Sequence, residues 1–363
     1  MCGGSALFIG QIGDWTWETV SLLCGTNVFT ATNKHGAPSY LSFCYFRIHG
    51  SPVMNLSTIN FGDRIQVSSR LFGFSSESIL TLHKIKAAGV GPEIIDPEEF
   101  YSFKDDHSLY AETFNRWLTR SDSRTNENLI RSSPLGFEYR HLPALPDTYS
   151  PRHAYYRARR SLSFFDRMPS DRVSVTLPFT VEYRIDLTRD LNCVGLLYFA
   201  TYFSILDWAL LRFWHHLDRT DHSFLGRVVL DQRLCYLGNV NADGVLSIRM
   251  EAWQKVGAPA DEMVNFVVAD RDSGRKLAVS TLHLLRGAPR RLPRDRAIVA
   301  KEASRRAVRA QCSQPDGNRS ALCCRASEVE PSADSDVRRA STRIGRVYQD
   351  VIFPQVPCVL LGQ

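Results

Sequence analysis

The 363-residue sequence has no apolar run long enough to cross a membrane undisturbed. Its longest apolar stretch, Val194 to Trp214, is broken by Thr201, Ser204, Asp207 and Arg212 and reads as a buried or amphipathic helix. The first ten residues lack a basic segment and a sustained apolar core, so a secretory signal is not expected. No CxxC pair occurs among the nine cysteines, which removes the usual zinc and redox-dithiol spacings. Several of them lie in apolar runs, where cysteine packs as a small hydrophobe, and a reduced cytoplasmic setting follows. Also missing are a GxSxG elbow, a P-loop, a GxGxxG at a strand–helix junction and an HExxH pair.

Net charge is likewise missing from the body of the chain. The formal net charge is +6, but residues 287–363 carry fourteen Lys and Arg against eight Asp and Glu. Residues 1–286 therefore hold 30 charges of each sign. A neutral body gives no basic face for nucleic acid, and the excess belongs to an Arg/Ser/Ala/Pro-rich tail expected to be largely disordered. The apolar fraction of 44% is ample for a sizeable core.

The patterning predicts a helix over 14–24, with Asp14 as N-cap and Gly25 as the stop. Strands follow at Tyr40–His49, Arg64–Leu71, Ser78–Lys86 and Leu109–Leu118. Residues 121–174 then read as a linker or irregular excursion, rich in Ser, Asn, Asp, Pro and Arg. A strand at Val175–Leu187 and a helix at Gly195–His215 come next. Strands at Arg227–Leu237, Val245–Trp253, Val264–Ala269 and Lys276–Arg286 close the series, with hairpin chemistry at Asn241–Gly244. One helix followed by several antiparallel strands, twice, is an α+β duplication. A long helix wrapped by an antiparallel sheet is the hotdog arrangement. Two in one chain make a double hotdog, with halves at 1–120 and 175–286 and the tail at 287–363.

The segment Asp190–Asp207, D-L-N-C-V-G-L-L-Y-F-A-T-Y-F-S-I-L-D, resembles the motif that leads into the helix in the 4-hydroxybenzoyl-CoA thioesterase branch of hotdog enzymes. Gly195, Tyr198-Phe199 and Tyr202-Phe203 stand in the matching places, and Asn192 takes the place of the catalytic aspartate. Asparagine is neither nucleophile nor base, but it donates a hydrogen bond to a carbonyl, enolate or carboxylate. Gly195 and Leu196 would admit a ligand to free N–H groups at a helix start, with Tyr198 alongside.

The segments F-I-G-Q-I-G-D-W-T-W-E-T-V, P-S-Y-L-S-F-C-Y-F-R, F-G-D-R-I and N-C-V-G-L-L-Y-F-A-T-Y together resemble the leinamycin-type double-hotdog acyltransferase/decarboxylases. That resemblance spans residues 5–286. It implies polyketide biosynthesis: methylmalonyl is loaded from its CoA thioester, decarboxylated, and delivered as propionyl to an acyl carrier protein. The acyl group travels on a tyrosine, here Tyr40, with Tyr45 the competing assignment. Gly13 and Asp14 of the first motif join Gly195, Leu196 and Tyr198 as substrate-binding candidates beside the catalytic pair Tyr40 and Asn192.

No metal or organic cofactor is implied beyond the CoA thioester substrate and the phosphopantetheine of the partner carrier. The partners are acyl-CoA and acyl carrier protein, with no nucleic acid and no membrane; a homodimer is left open. A hotdog thioesterase or dehydratase and a non-catalytic acyl-carrier-binding module remain as alternatives. Plainer readings stand beside each residue: strand packing for Tyr40, a helix cap for Asn192, core for Tyr198 and Tyr202. His215, His216, Asp218 and His222 read as solvated residues at a helix end, not as metal ligands. Nothing in the spacing selects His35, His49 or His83, and Arg157, Arg159 and Arg160 read as a solvated face.

Overall fold

The computed structural model describes residues 5–60, 62–89, 93–165, 167 and 169–287, together with the backbone of 350–352. Helix α1 (Ser5–Leu23) turns Ile9, Ile12, Thr16 and Val20 inward at helical spacing and ends just before Gly25. It begins well ahead of Asp14, which sits mid-helix and caps nothing. Four strands follow: β1 (Tyr40–His49), β2 (Ile65–Ser75), β3 (Ser78–Ala87) and β4 (Leu109–Arg120). A short helix, α2 (Pro97–Ser102), is inserted between the last two. These strands form an antiparallel sheet in the order β2-β3-β4-β1.

The segment expected to be irregular carries β5 (Leu129–Arg131), α3 (Pro151–Ser161) and β6 (Arg172–Ser174). After β7 (Phe179–Arg184) comes the second long helix, α4 (Thr201–His216), which buries Tyr202, Phe203, Leu206, Leu210, Phe213 and Trp214. A single turn, α5 (Asp221–Leu225), leads to β8 (Val228–Tyr236), β9 (Val245–Lys255), β10 (Ala258–Asp270) and β11 (Lys276–Leu285). Their order in the sheet is β9-β10-β11-β8, the same as in the first half. The expected turn forms, with Gly244 N–H donating to Asn241 O, but β8 and β9 do not pair across it. The β8 edges go to β1 and β11 instead.

Antiparallel pairing of β1 with β8, from Tyr45↔Cys235 to His49↔Asp231, joins the halves into one sheet. A three-residue strand, β12 (Asp350–Ile352), pairs along the far edge of β2. The rest of the expected tail lies outside the described residues.

Helices α1 and α4 share one apolar core with the inner face of the sheet, from Val67 and Ile85 through Phe46 to Leu246 and Val264. Helices α2 and α3 help cover the outer face of the first half, over Phe72, Leu80, Phe114 and Tyr45. Among the described residues no helix is long and apolar enough to cross a membrane.

The β1/β8 joint carries a buried charge network on its outer face. Arg47 Nε donates to Asp231 at 2.7 Å and Arg233 Nε donates to the same carboxylate at 2.8 Å. Burial pushes the Asp231 carboxyl up, but the Arg47 and Arg233 charges outweigh it and hold the group well below the usual carboxylate range. Neighbouring Glu112 lacks a direct ion pair among the described residues. It accepts from the Tyr101 hydroxyl at 2.9 Å, and burial pushes its carboxyl up to about 7 against the pull of Arg47. A raised folded-state value favours the neutral acid, so its contribution is full below the ordinary carboxylate range and is lost as pH rises through about 7. Glu112→Gln should therefore gain stability relative to wild type between pH 5 and pH 8, measured by urea unfolding. An identical pH dependence in the two proteins would refute this.

Candidate active site

Only the C-terminal half of β1 is paired with β8; Tyr40 to Phe43 have no partner there. Beyond Tyr236 the chain bends away, with Leu237 and Gly238 donating to Leu277 O. The segment 190–199 lies between these diverging strand ends. It is a tight hairpin and not the start of a helix, so α4 begins six residues later than its sequence predicts. The cause is Gly195, whose φ of +74° suits glycine and breaks helical continuation. Gly195 N–H closes the turn on Asn192 O, Asn192 N–H donates to Leu196 O, and Tyr198 N–H donates to Asp190 O.

Asn192 is the internal brace of this hairpin and not a helix cap. Its Oδ1 accepts from Val194 N–H at 3.2 Å and from Leu196 N–H at 2.9 Å, while its Nδ2 has no partner among the described residues. Asn239 Oδ1 takes Leu197 N–H at 3.1 Å. From 192 to 198, only Cys193 has an N–H without a partner among the described residues. The expected row of free N–H groups beside Gly195 is thus occupied. Asp190, fully buried, is committed as well: its carboxylate accepts from the Tyr183 hydroxyl, Asp186 N–H and Arg189 Nε.

Tyr40, half-buried at the start of β1, meets this hairpin through a residue that sequence reading missed. The Arg120 guanidinium, at the end of β4, lies 5.9 Å from the centre of the Tyr40 ring. Its Nη2 donates to Val194 O at 2.5 Å and to Asn126 Oδ1 at 2.8 Å. Asn126 Nδ2 in turn donates to Gly195 O at 2.6 Å. Arg120 and Asn126 therefore link the Tyr40 ring to Val194 and Gly195 of the hairpin that Asn192 and Leu196 help to close. Neither Arg120 nor Asn126 belongs to a motif, and Asn126 falls in the stretch read as linker. Tyr45 stands apart from this group: the bulge between Phe43 and Tyr45 keeps it on the same outer face as Tyr40, but it lies farther along β1, buried in the outer-face core against Phe164.

Gly13, Asp14 and Tyr198 gather on the α1 side of the hairpin. Gly13 is a packing notch: a Cβ there would lie 2.2 Å from Phe199 Cζ. Phe199 stacks on Phe43 with ring centres 4.0 Å apart and meets Trp17 edge-on at 5.6 Å. Burial pushes the Tyr198 phenol up to about 12, helped by the Asp14 charge. Burial and Glu18 raise the Asp14 carboxyl. Tyr202 is core, as the plainer reading held, with 1% exposure.

The histidines stay outside the site. His83 is buried between Ser69 Oγ at 2.7 Å and Thr16 Oγ1 at 2.9 Å, and desolvation pushes it down to about 3, so it is neutral. His49 faces Asp231, and His215 bonds Asp221 at 2.5 Å. No group of His, Cys, Asp and Glu among the described residues is arranged to hold a metal. A cavity of about 540 Å³ on the outer face of the second half, lined by Arg249, Trp253, Asn265 and Lys276, touches none of these site residues.

A helix wrapped in an antiparallel sheet, with a Gly-containing hairpin leading into the second helix, defines a hotdog protein. Residues 1–166 match the family model of the LnmK N-terminal Hot Dog Fold domain. Among solved structures, the chain is similar in fold to a putative oleoyl thioesterase from Lactobacillus plantarum, with 12% identity and a TM-score of 0.48, covering 78% of this chain and 88% of that one. The 12:0-ACP thioesterase from Umbellularia californica gives 10% identity and a TM-score of 0.45, covering 78% and 87%. No curated protein matches the chain.

Two outcomes follow from this geometry. Helix propensity alone would favour Gly13→Ala by ~0.5–1 kcal/mol, but the clash with Phe199 reverses the sign. The variant should lose about 1–3 kcal/mol in denaturant unfolding, and Phe199→Leu in the same chain should recover part of it. Asn192→Ala should speed amide exchange at Val194 and Leu196, whereas Asn192→Asp, which keeps the acceptor, should not. Equal exchange in both variants would refute the bracing role.

Proposed function

We propose that this double-hotdog protein is an acyltransferase/decarboxylase of polyketide biosynthesis. It takes methylmalonyl from CoA onto Tyr40, releases carbon dioxide, and passes propionyl to the phosphopantetheine thiol of an acyl carrier protein. The observation that carries this reading is the meeting of Tyr40 with the Asn192–Gly195 hairpin through Arg120. These candidates come from opposite halves of the chain.

A phenol with pKa ~10 is a weak nucleophile at neutral pH, so it needs polar groups close by. The free Asn192 Nδ2 is a donor for the carbonyl of the incoming thioester. Asp190, the carboxylate nearest in sequence, is locked by its own partners, which weighs against carboxylate-driven hydrolysis. None of these steps calls for a metal or an organic cofactor.

Incubation with methylmalonyl-CoA and a phosphopantetheinylated carrier, read by intact mass, tests the proposal. Propionyl on both proteins is expected, and Tyr40→Phe should abolish the label on this protein and its transfer. Free methylmalonate or an altered acyl chain would favour the thioesterase or dehydratase reading. No change in either protein would favour a non-catalytic carrier-binding module.

A further inference from the structure

We propose that Arg120 is the charged part of the oxyanion site: its unpaired N–H groups bind the acyl carbonyl oxygen as that oxygen gains negative charge. The inference rests on the acyl-tyrosine reading above and identifies the group that makes it work. In hotdog architecture a glycine beside a helix start would ordinarily offer backbone donors. Here those donors are committed to Asn192 and Asn239, and the helix starts elsewhere. Side chains must replace them.

Arg120 is built for that task in three respects. It is fixed, because Nη2 is anchored to both Val194 O and Asn126 Oδ1. Asn126 is itself held by Gly195 O, Val240 O and, through its own N–H, Asn241 Oδ1. It has unused donors: Nε is buried without a partner, and Nη1 has none among the described residues. Its charge is uncompensated, since Arg120 makes no ion pair among the described residues, whereas Arg47, Arg219 and Arg227 each face a carboxylate. A half-buried cation with open donors is stabilised by an anion delivered from outside.

One carbonyl oxygen carries the charge in both chemical steps. When the Tyr40 oxygen bonds to the carbonyl carbon, the C–S bond breaks. Its electron pair leaves on the CoA sulfur, which receives the phenol proton. When the C–C bond to the carboxylate then breaks, carbon dioxide departs and the electron pair spreads over the α-carbon and the same carbonyl oxygen. A proton from water quenches the α-carbon. Arg120 donates hydrogen bonds throughout and transfers neither electrons nor protons.

The test follows Tyr40 acylation and carbon dioxide release in wild type, Arg120→Lys, Arg120→Gly and Asn126→Ala with methylmalonyl-CoA, using rapid quench and intact mass. Arg120→Lys should slow both steps by roughly 100-fold, the scale of losing an oxyanion donor. Asn126→Ala, which loosens one anchor but keeps the guanidinium, should cost far less. Added guanidinium salt should restore part of the Arg120→Gly rate without changing Tm. Acylation of Arg120→Lys at the wild-type rate would overturn this inference alone. So would an Arg120→Gly loss that guanidinium fails to rescue in a protein of lowered Tm, which marks a structural tether. Absence of label on wild type would overturn the acyl-tyrosine reading and this inference with it.

Discussion

The rest of the structure depends on the seating of Phe199 in the notch at Gly13. One aromatic ring touches α1 through Gly13 and Trp17, touches β1 through Phe43, and sits at the end of the hairpin that opens α4. Its backbone carbonyl also accepts from the Tyr236 hydroxyl at the end of β8. Burying such a ring contributes about 1.5–3 kcal/mol. Its larger effect is geometric, because it sets where the hairpin lies relative to Tyr40. A side chain at position 13 would displace the ring and carry the hairpin with it.

Around that ring the polar groups are shared out with little left over. The hairpin satisfies its own N–H groups through Asn192, and Asn239, Asn126 and Arg120 fasten it from three other segments. What remains open among the described residues is a short set of donors on Asn192 and Arg120, and the Arg120 guanidinium lies beside the Tyr40 ring. Satisfied backbone makes the hairpin rigid, and rigidity is what a preorganised site needs. The outer-face network at Asp231 has a different task. It crosses the β1/β8 joint and ties the halves together, leaving the opening above it free of strand pairing.

Much of the fold was legible because alternation and helical spacing act locally. The β1 boundaries follow directly from the aromatic and branched run at Tyr40–His49, and the repeated helix-then-strands order matches the repeated sheet order. Three features were hidden. Helix α4 starts at Thr201 because a left-handed Gly195 and a side-chain acceptor on Asn192 outcompete helix for the preceding residues. Helix α3 was masked by the Arg- and Ser-rich composition of its stretch, since its stability comes from packing Tyr155 and Ala158 on the sheet. The β8–β9 turn has hairpin residues without a hairpin, because each edge of β8 pairs elsewhere.

The sequence by itself determined the element order, the duplication and a neutral body, all written in local pattern, and it singled out Tyr40 and Asn192 as candidates through short motifs. Only the tertiary structure decided that Tyr40 and Tyr45 take the same outer face of β1, since one bulge reverses the alternation between them. It also decided that Arg120 and Asn126, neither in any motif, stand between the two candidates. Their role depends on contacts between distant segments, and spacing along a chain holds no record of those.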